Sequence, residues 1–149
     1  MDKTTDNTMV IRRKAERYCS ESERCREEVM QKLTAWQAEE TDIEAILTYL
    51  YEQGYINDER YCRAFVHDKV RFAQWGRVKI RYALRAKQLP EDAIDKAMNE
   101  IDTEEYKKVL QHLATAYCSA KKGADQNRLI RYLMQRGFTY EEISVLSVI

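Results

Sequence analysis

The sequence predicts an all-α fold of three tandem three-helix units, and three observations carry that prediction. Apolar residues recur at intervals of three and four along the 149-residue chain, never in sustained alternation. That is the period of a helix face, not of a pleated strand. The composition holds one Pro and four Gly and is 34% charged. It is rich in Glu, Arg, Lys, Ala and Leu, which lose little on entering a helix. Finally, one apolar skeleton is written three times. Ile80, Leu84, Leu89, Ile94 and Ala97 recur 49 residues later as Leu129, Leu133, Phe138, Ile143 and Leu146. They recur 51 residues earlier as Val29, Leu33, Ala38, Ile43 and Ile46.

Nine helices follow from the spacing and the punctuation, at about residues 9–20, 24–37, 42–53, 58–73, 77–88, 90–100, 104–120, 126–136 and 140–147. Gly54, Gly76, Gly123 and Gly137 each stand just past a helical pattern, where the left-handed conformation closes a helix at no steric cost. Thr41 with Glu44 and Thr139 with Glu142 fit the capping box that opens one. Pro90 fits a first helical turn, where a missing N–H costs nothing. Each copy of the skeleton follows a further helix, Val10 to Cys19, Tyr61 to Val70 and Tyr106 to Tyr117. The chain therefore divides into a flexible N-terminal tail (1–9) and three units, 10–56, 57–101 and 102–149. A single unit of about fifty residues has too little interior to be robust alone, so stacked neighbours complete the core.

Catalytic chemistry finds little support. His67 and His112 lie on helical stretches with no nucleophile motif beside them. Neighbouring pairs such as Glu27–Glu28 and Glu39–Glu40 point about 100° apart on a helix, so they do not face one another as acid and base. No phosphate-binding glycine loop and no paired-histidine metal motif is present. Cys19, Cys25, Cys62 and Cys118 form no CxxC pair, so no metal site is expected. They read as reduced thiols packed like small apolar residues, as in a cytoplasmic protein. No stretch approaches the length of apolar chain a membrane span needs.

Charge is more telling. Formal net charge is zero, but it is arranged in blocks. Residues 21–59 carry 3 basic and 11 acidic side chains; residues 60–89 carry 9 basic and 1 acidic. Residues 90–106 set Lys96 against seven acids, and residues 107–136 set seven basic residues against Asp125. Arg77, Arg81 and Arg85 recur every four residues and form one stripe, beside the buried face that Ile80 and Leu84 mark. Lys79 widens it, and Arg71 precedes it. This basic block reads either as a surface for phosphate or for an acidic protein groove, or as a solvated face paired with the acidic segments 21–59 and 90–106. Trp75, directly before Gly76, reads either as an apolar anchor for a partner or as a lid over the core. Arg128 and Arg131 are the corresponding candidates in the third unit.

At this point a resemblance enters. The stretch 50–98 resembles the central region of the RecX family, bacterial regulators of the RecA recombinase. The family pattern falls on Gly54-Tyr55-Ile56, Asp58-Glu59, Arg60-Tyr61, Phe65-Val66, Arg71 to Gly76, and Ile80 with Leu84. The closing Leu-x-x-Arg-Gly-Phe segment falls on Leu133, Arg136, Gly137 and Phe138, and residues 25–33 resemble the run that opens the first repeat. The ordered set spans residues 10–148. Two positions depart from the pattern. Cys25 stands where a capping Ser is usual, which suggests a helix start at Ser20 or Ser22, and Gln88 stands where Gly is common.

The resemblance implies an elongated, curved array without catalysis or cofactor. It implies a monomer that lodges in the RecA filament on single-stranded DNA. There it would inhibit strand exchange, ATP hydrolysis and the co-protease activity of the SOS response. The zero net charge implies only weak direct DNA binding. A stand-alone DNA-binding module and a general helical adaptor are the alternatives that the residues leave open.

Overall fold

The structure is a computed structural model that describes residues 3–123 and 125–146. Among them the chain forms nine helices and no strand. In order these are α1 (Lys3–Glu21), α2 (Arg26–Ala35), α3 (Glu40–Glu52), α4 (Asp58–Arg71), α5 (Arg77–Ala86), α6 (Glu91–Asn99), α7 (Thr103–Ala120), α8 (Gln126–Gln135) and α9 (Tyr140–Ser144). The chain divides into two compact units, Met1–Tyr61 and Cys62–Ile149, with the boundary inside α4.

The threefold repetition is present in the backbone. The residue after the C-cap of α2, α5 and α8 is left-handed each time: Gln37 at φ 64°, Gln88 at φ 64° and Gly137 at φ 103°. The next residue then donates its N–H back across the turn, Ala38 to Leu33, Leu89 to Leu84 and Phe138 to Leu133. These are the 6→1 bonds of the Schellman closure. Gln88, where Gly is common in the family pattern, thus adopts the conformation glycine would supply. The helices that follow start from extended N-caps at Glu39, Pro90 and Thr139. All five skeleton positions are buried in α5–α6 and in α8–α9. In the first copy Val29, Leu33 and Ile46 are buried, while Ala38 and Ile43 are half-buried.

Within the first unit, Ile11, Ala15 and Cys19 of α1 meet Val29 and Leu33 of α2 and Ile46, Leu47 and Leu50 of α3. A fully buried leucine of this kind contributes roughly 1.5–3 kcal/mol. Burial also pushes the Cys19 thiol up to about 11, so it packs as a neutral apolar group.

Five sequence expectations are corrected. The first helix begins at Lys3, not near residue 9; the Thr8 hydroxyl donates to Asp42 at 3.1 Å and ties its first half to α3. Thr41 lies inside α3, whose N-cap is Glu39; its expected partner Glu44 instead accepts Arg26 at 2.6 Å. Cys25 itself caps α2, and Glu28 accepts its N–H at 3.0 Å, so neither Ser20 nor Ser22 starts that helix. Gly76 does not close α4 in a left-handed turn: its φ is −81°, and Gln74 takes that role at φ 58°. Cys118 is exposed, unlike the other three cysteines, because it lies on the outer face of α7.

Candidate interaction surface

The second unit is built around the start of α5. Its N-cap, Gly76, has no side chain to satisfy the first N–H groups of the helix, which need partners. Distant residues supply them. The Arg77 N–H donates to the Tyr106 hydroxyl at 3.0 Å, and the Val78 N–H donates to the Gly137 carbonyl at 3.0 Å. The Gly76 N–H itself donates to the Arg136 carbonyl at 2.7 Å. Arg136 returns the contact: its guanidinium donates to the Gln74 carbonyl at 3.1 Å and to the Ala73 carbonyl.

This approach requires two glycines. A Cβ on Gly76 would lie 2.3 Å from the carbonyl carbon and oxygen of Gly137. A Cβ on Gly137 would lie 2.5 Å from the Lys79 Cβ. Glu142 completes the junction. It accepts the Thr139 N–H at 2.8 Å, the Tyr106 hydroxyl at 3.2 Å and the Arg77 guanidinium at 3.2 Å. The Arg77 guanidinium also lies over the Tyr106 ring, 4.0 Å from its centre. Burial holds the Tyr106 phenol well above its ordinary range, so it is protonated and donates at neutral pH.

The arginine stripe stands on this platform, and its charges are matched. Arg77 meets Glu142. Arg81 meets Asp95 at 2.7 Å and Glu91 at 3.4 Å; Arg85 meets Glu91 through two nitrogens at 2.5 and 3.1 Å. Arg71 meets Glu105 at 2.7 Å. The Arg85 hydrogen bond holds the Glu91 carboxyl below its ordinary range, and Arg71 does the same to Glu105. The acidic segment 90–106 therefore supplies most of the counter-charge to the basic segment before it. These pairs are exposed or half-exposed, so they orient the guanidinium groups more than they stabilise the fold.

Trp75 is half-buried against Phe65, at 6.4 Å between ring centres. The ammonium groups of Lys69 and Lys79 lie 4.9 and 4.6 Å from its centre. Its ring is thus occupied by its own chain. Beside the stripe runs a groove of about 380 Å³ lined by Arg77, Val78, Arg81, Tyr82, Arg85 and Met98. Val78 and Tyr82 are 56% and 76% exposed. Two apolar side chains one turn apart, bordered by three oriented arginines, make a surface suited to a protein partner. Arg128 and Arg131 do not line this groove; they project from α8 and are exposed, with no acidic partner among the described residues.

Sequence reasoning missed Tyr106, Arg136 and Glu142 as the groups that hold α5, and Val78 with Tyr82 as its exposed face. The second omission was legible: both lie at helical spacing off the stripe of Ile80 and Leu84.

The molecule so far is an all-α protein of repeated three-helix units with an exposed, charged and partly apolar face on α5. Comparison with known proteins narrows this. Residues 57–98 match the family model for the second three-helix domain of RecX. The regulatory protein RecX of Vibrio campbellii is 31% identical over 120 residues, spanning 78% of this chain and 76% of the relative. That of Clostridium tetani is 28% identical over 149 residues, spanning 95% of this chain and 68% of the relative. The chain belongs to the RecX family of regulatory proteins. Two crystal structures share the fold: one of a regulatory protein RecX (TM-score 0.86, 23% identity, 98% of this chain and 74% of that one), and one of RecX from Lactobacillus salivarius (TM-score 0.83, 22% identity, 97% and 99%). No helix among the described residues is long and apolar enough to cross a membrane.

Proposed function

We propose that this protein is a non-enzymatic, cytoplasmic regulator that binds the RecA filament on single-stranded DNA and inhibits its recombinase, ATPase and co-protease activities. The units 10–56, 57–101 and 102–149 act as three consecutive three-helix repeats, and the protein acts as a monomer. The observation that carries the reading is the α5 groove, where exposed Val78 and Tyr82 are bordered by Arg77, Arg81 and Arg85 in a chain of RecX family membership. Apolar anchors flanked by charge are how a protein surface gains both affinity and register. The matched arginines keep the groove near neutral, which favours a mixed protein surface over bare phosphate.

The test is recombinase ATPase activity on single-stranded DNA, with and without the protein. Inhibition is expected, and the double variant Tyr82→Ala/Arg85→Glu is expected to need at least tenfold more protein for the same effect. Both residues are exposed, so helicity should be unchanged. Full inhibition by that variant would overturn the assignment of the groove, and no effect of the unsubstituted protein on the ATPase would overturn the function.

A further inference from the structure

The second unit holds another cavity, which shares no lining residue with the α5 groove. It measures about 260 Å³ and lies between α4 and the segment that joins α6 to α7. Val66 and Val70 of α4 and Ala97 of α6 are buried and form its floor, which half-buried Ile101 completes. Its rim is charged, with Arg63 and His67 on the α4 side and Glu100, Asp102 and Glu105 on the other. The size is close to the lower end of small-molecule sites, roughly 300 Å³, and an apolar lining with a few polar groups is their usual make-up.

Two ion pairs bridge the cleft. The Arg63 guanidinium donates to Glu100 at 2.9 Å, and that of Arg71 donates to Glu105 at 2.7 Å. These arginines stand about 12 Å apart along α4, with Val66, His67 and Val70 between them. A peptide laid along the cleft would have to break both pairs, whereas a compact molecule fits between them. Asp102 is the acid left over. One of its oxygens accepts the Glu104 and Glu105 N–H groups at 2.9 and 3.2 Å as the N-cap of α7. Its carboxylate has no cationic partner among the described residues. Three carboxylates thus face two guanidinium groups and one imidazole across an apolar floor. A ligand with a hydrocarbon body and one positive charge complements that arrangement: the body leaves water, and the charge meets the unmatched acid.

We propose that this cleft binds a small organic ammonium ion, with its hydrocarbon body on Val66, Val70, Ala97 and Ile101 and its charged head against Asp102. The site does not depend on the filament reading, because the groove assigned to the filament is made of other residues.

The test is an NMR titration of the full chain, labelled with nitrogen-15, with 2-phenylethylamine as the probe at constant ionic strength. Amide shifts should saturate, with half-saturation at about 1 mM or below for a ligand of this size. They should concentrate on residues 63–71 and 97–105. Two further compounds separate the parts of the site: 3-phenylpropanoate keeps the body and reverses the charge, and methylammonium keeps the charge and lacks the body. Each should bind at least tenfold more weakly. Asp102→Asn removes the charge and keeps a residue that caps as well as Asp, so α7 should stay intact while 2-phenylethylamine binds at least fivefold more weakly. The inference is overturned if the shifts do not saturate, if they centre elsewhere, if either control compound binds as well as the probe, or if Asp102→Asn binds like the parent. None of these outcomes bears on ATPase inhibition, so the two proposals fail separately.

Discussion

The second helices of the last two repeats, α5 and α8, occupy equivalent places and are made differently. The start of α8 is local: Asp125 caps it with its own side chain and accepts the Arg128 N–H. The start of α5 is tertiary: Gly76 offers nothing, and Tyr106 and Gly137 from the next repeat take its first two donors. The charges divide the same way. The arginines of α5 are matched by α6 and α9, and those of α8 face solvent alone. A helix capped from afar is placed by its neighbours, so the groove on α5 is only as well ordered as the third repeat beneath it. A helix that caps itself leaves its surface free for other uses.

The sharpest way to break this contrast is at the glycines. Gly76→Ala forces a methyl group into the Gly137 backbone at 2.3 Å, where no side chain can swing away. The variant should lose about 3 kcal/mol or more of stability in urea unfolding, the upper range for overpacking. Gly137→Ala should be comparably damaging, because it adds a Cβ at φ 103° and 2.5 Å from the Lys79 Cβ. Unfolding curves like that of the unsubstituted protein would show that the two repeats do not approach as described.

Tyr106→Phe removes the hydroxyl that joins the Arg77 N–H to Glu142 and leaves both short of a partner. A loss of about 1–3 kcal/mol is expected, with faster amide exchange at the start of α5 and none added at α8. Asp125→Ala should reverse the pattern: about 1 kcal/mol lost, with exchange rising at the start of α8 only. Equal effects on both helices from either substitution would erase the distinction between local and tertiary capping.

The smallest effect concerns pH. Glu91 and Glu105 are held below the ordinary carboxylate range in the folded chain, through hydrogen bonds from Arg85 and Arg71. A depressed carboxyl stabilises the fold fully above its unfolded value, and that contribution is lost as pH falls through the folded one. Acid titration of helicity should therefore show Glu105→Gln equal to the parent below the carboxylate range and slightly less stable above it. NMR titration should find the Glu105 carboxyl below that of a free glutamate.

Much of the fold was legible because it is written in local chemistry. The repeated apolar skeleton, the turns at Gly54 and Gly137, and the Thr139–Glu142 capping box all depend on residues within a few positions of each other. The failures share an opposite cause. Gly76 looked like a helix end because glycine so often is one; its reason is a backbone 61 residues away. Cys25 does not read as a cap because its hydroxyl-free side chain is a weak one, yet the Glu28 carboxylate does the reciprocal half of the work. At the candidate site the arginine stripe of α5 was plain in the sequence, as was the segment that could neutralise it. Which acid meets which arginine was not, because Glu105 meets Arg71 of α4 and Glu142 meets Arg77 of α5 only once α7 and α9 are packed in place.

Glu142 serves Thr139, Tyr106 and Arg77 at once. Substitutions at these four positions, drawn from three separate parts of the chain, should then behave as one epistatic group: after the first loss, the second and third cost much less than their separate sums. A double-mutant cycle between positions 77 and 106 would register a large coupling energy, although Arg77 lies outside the hydrophobic core in which Tyr106 is buried. In a survey of random variants, the four would surface together as a covarying set, and that set would mark the joint between α5 and the repeat that supports it.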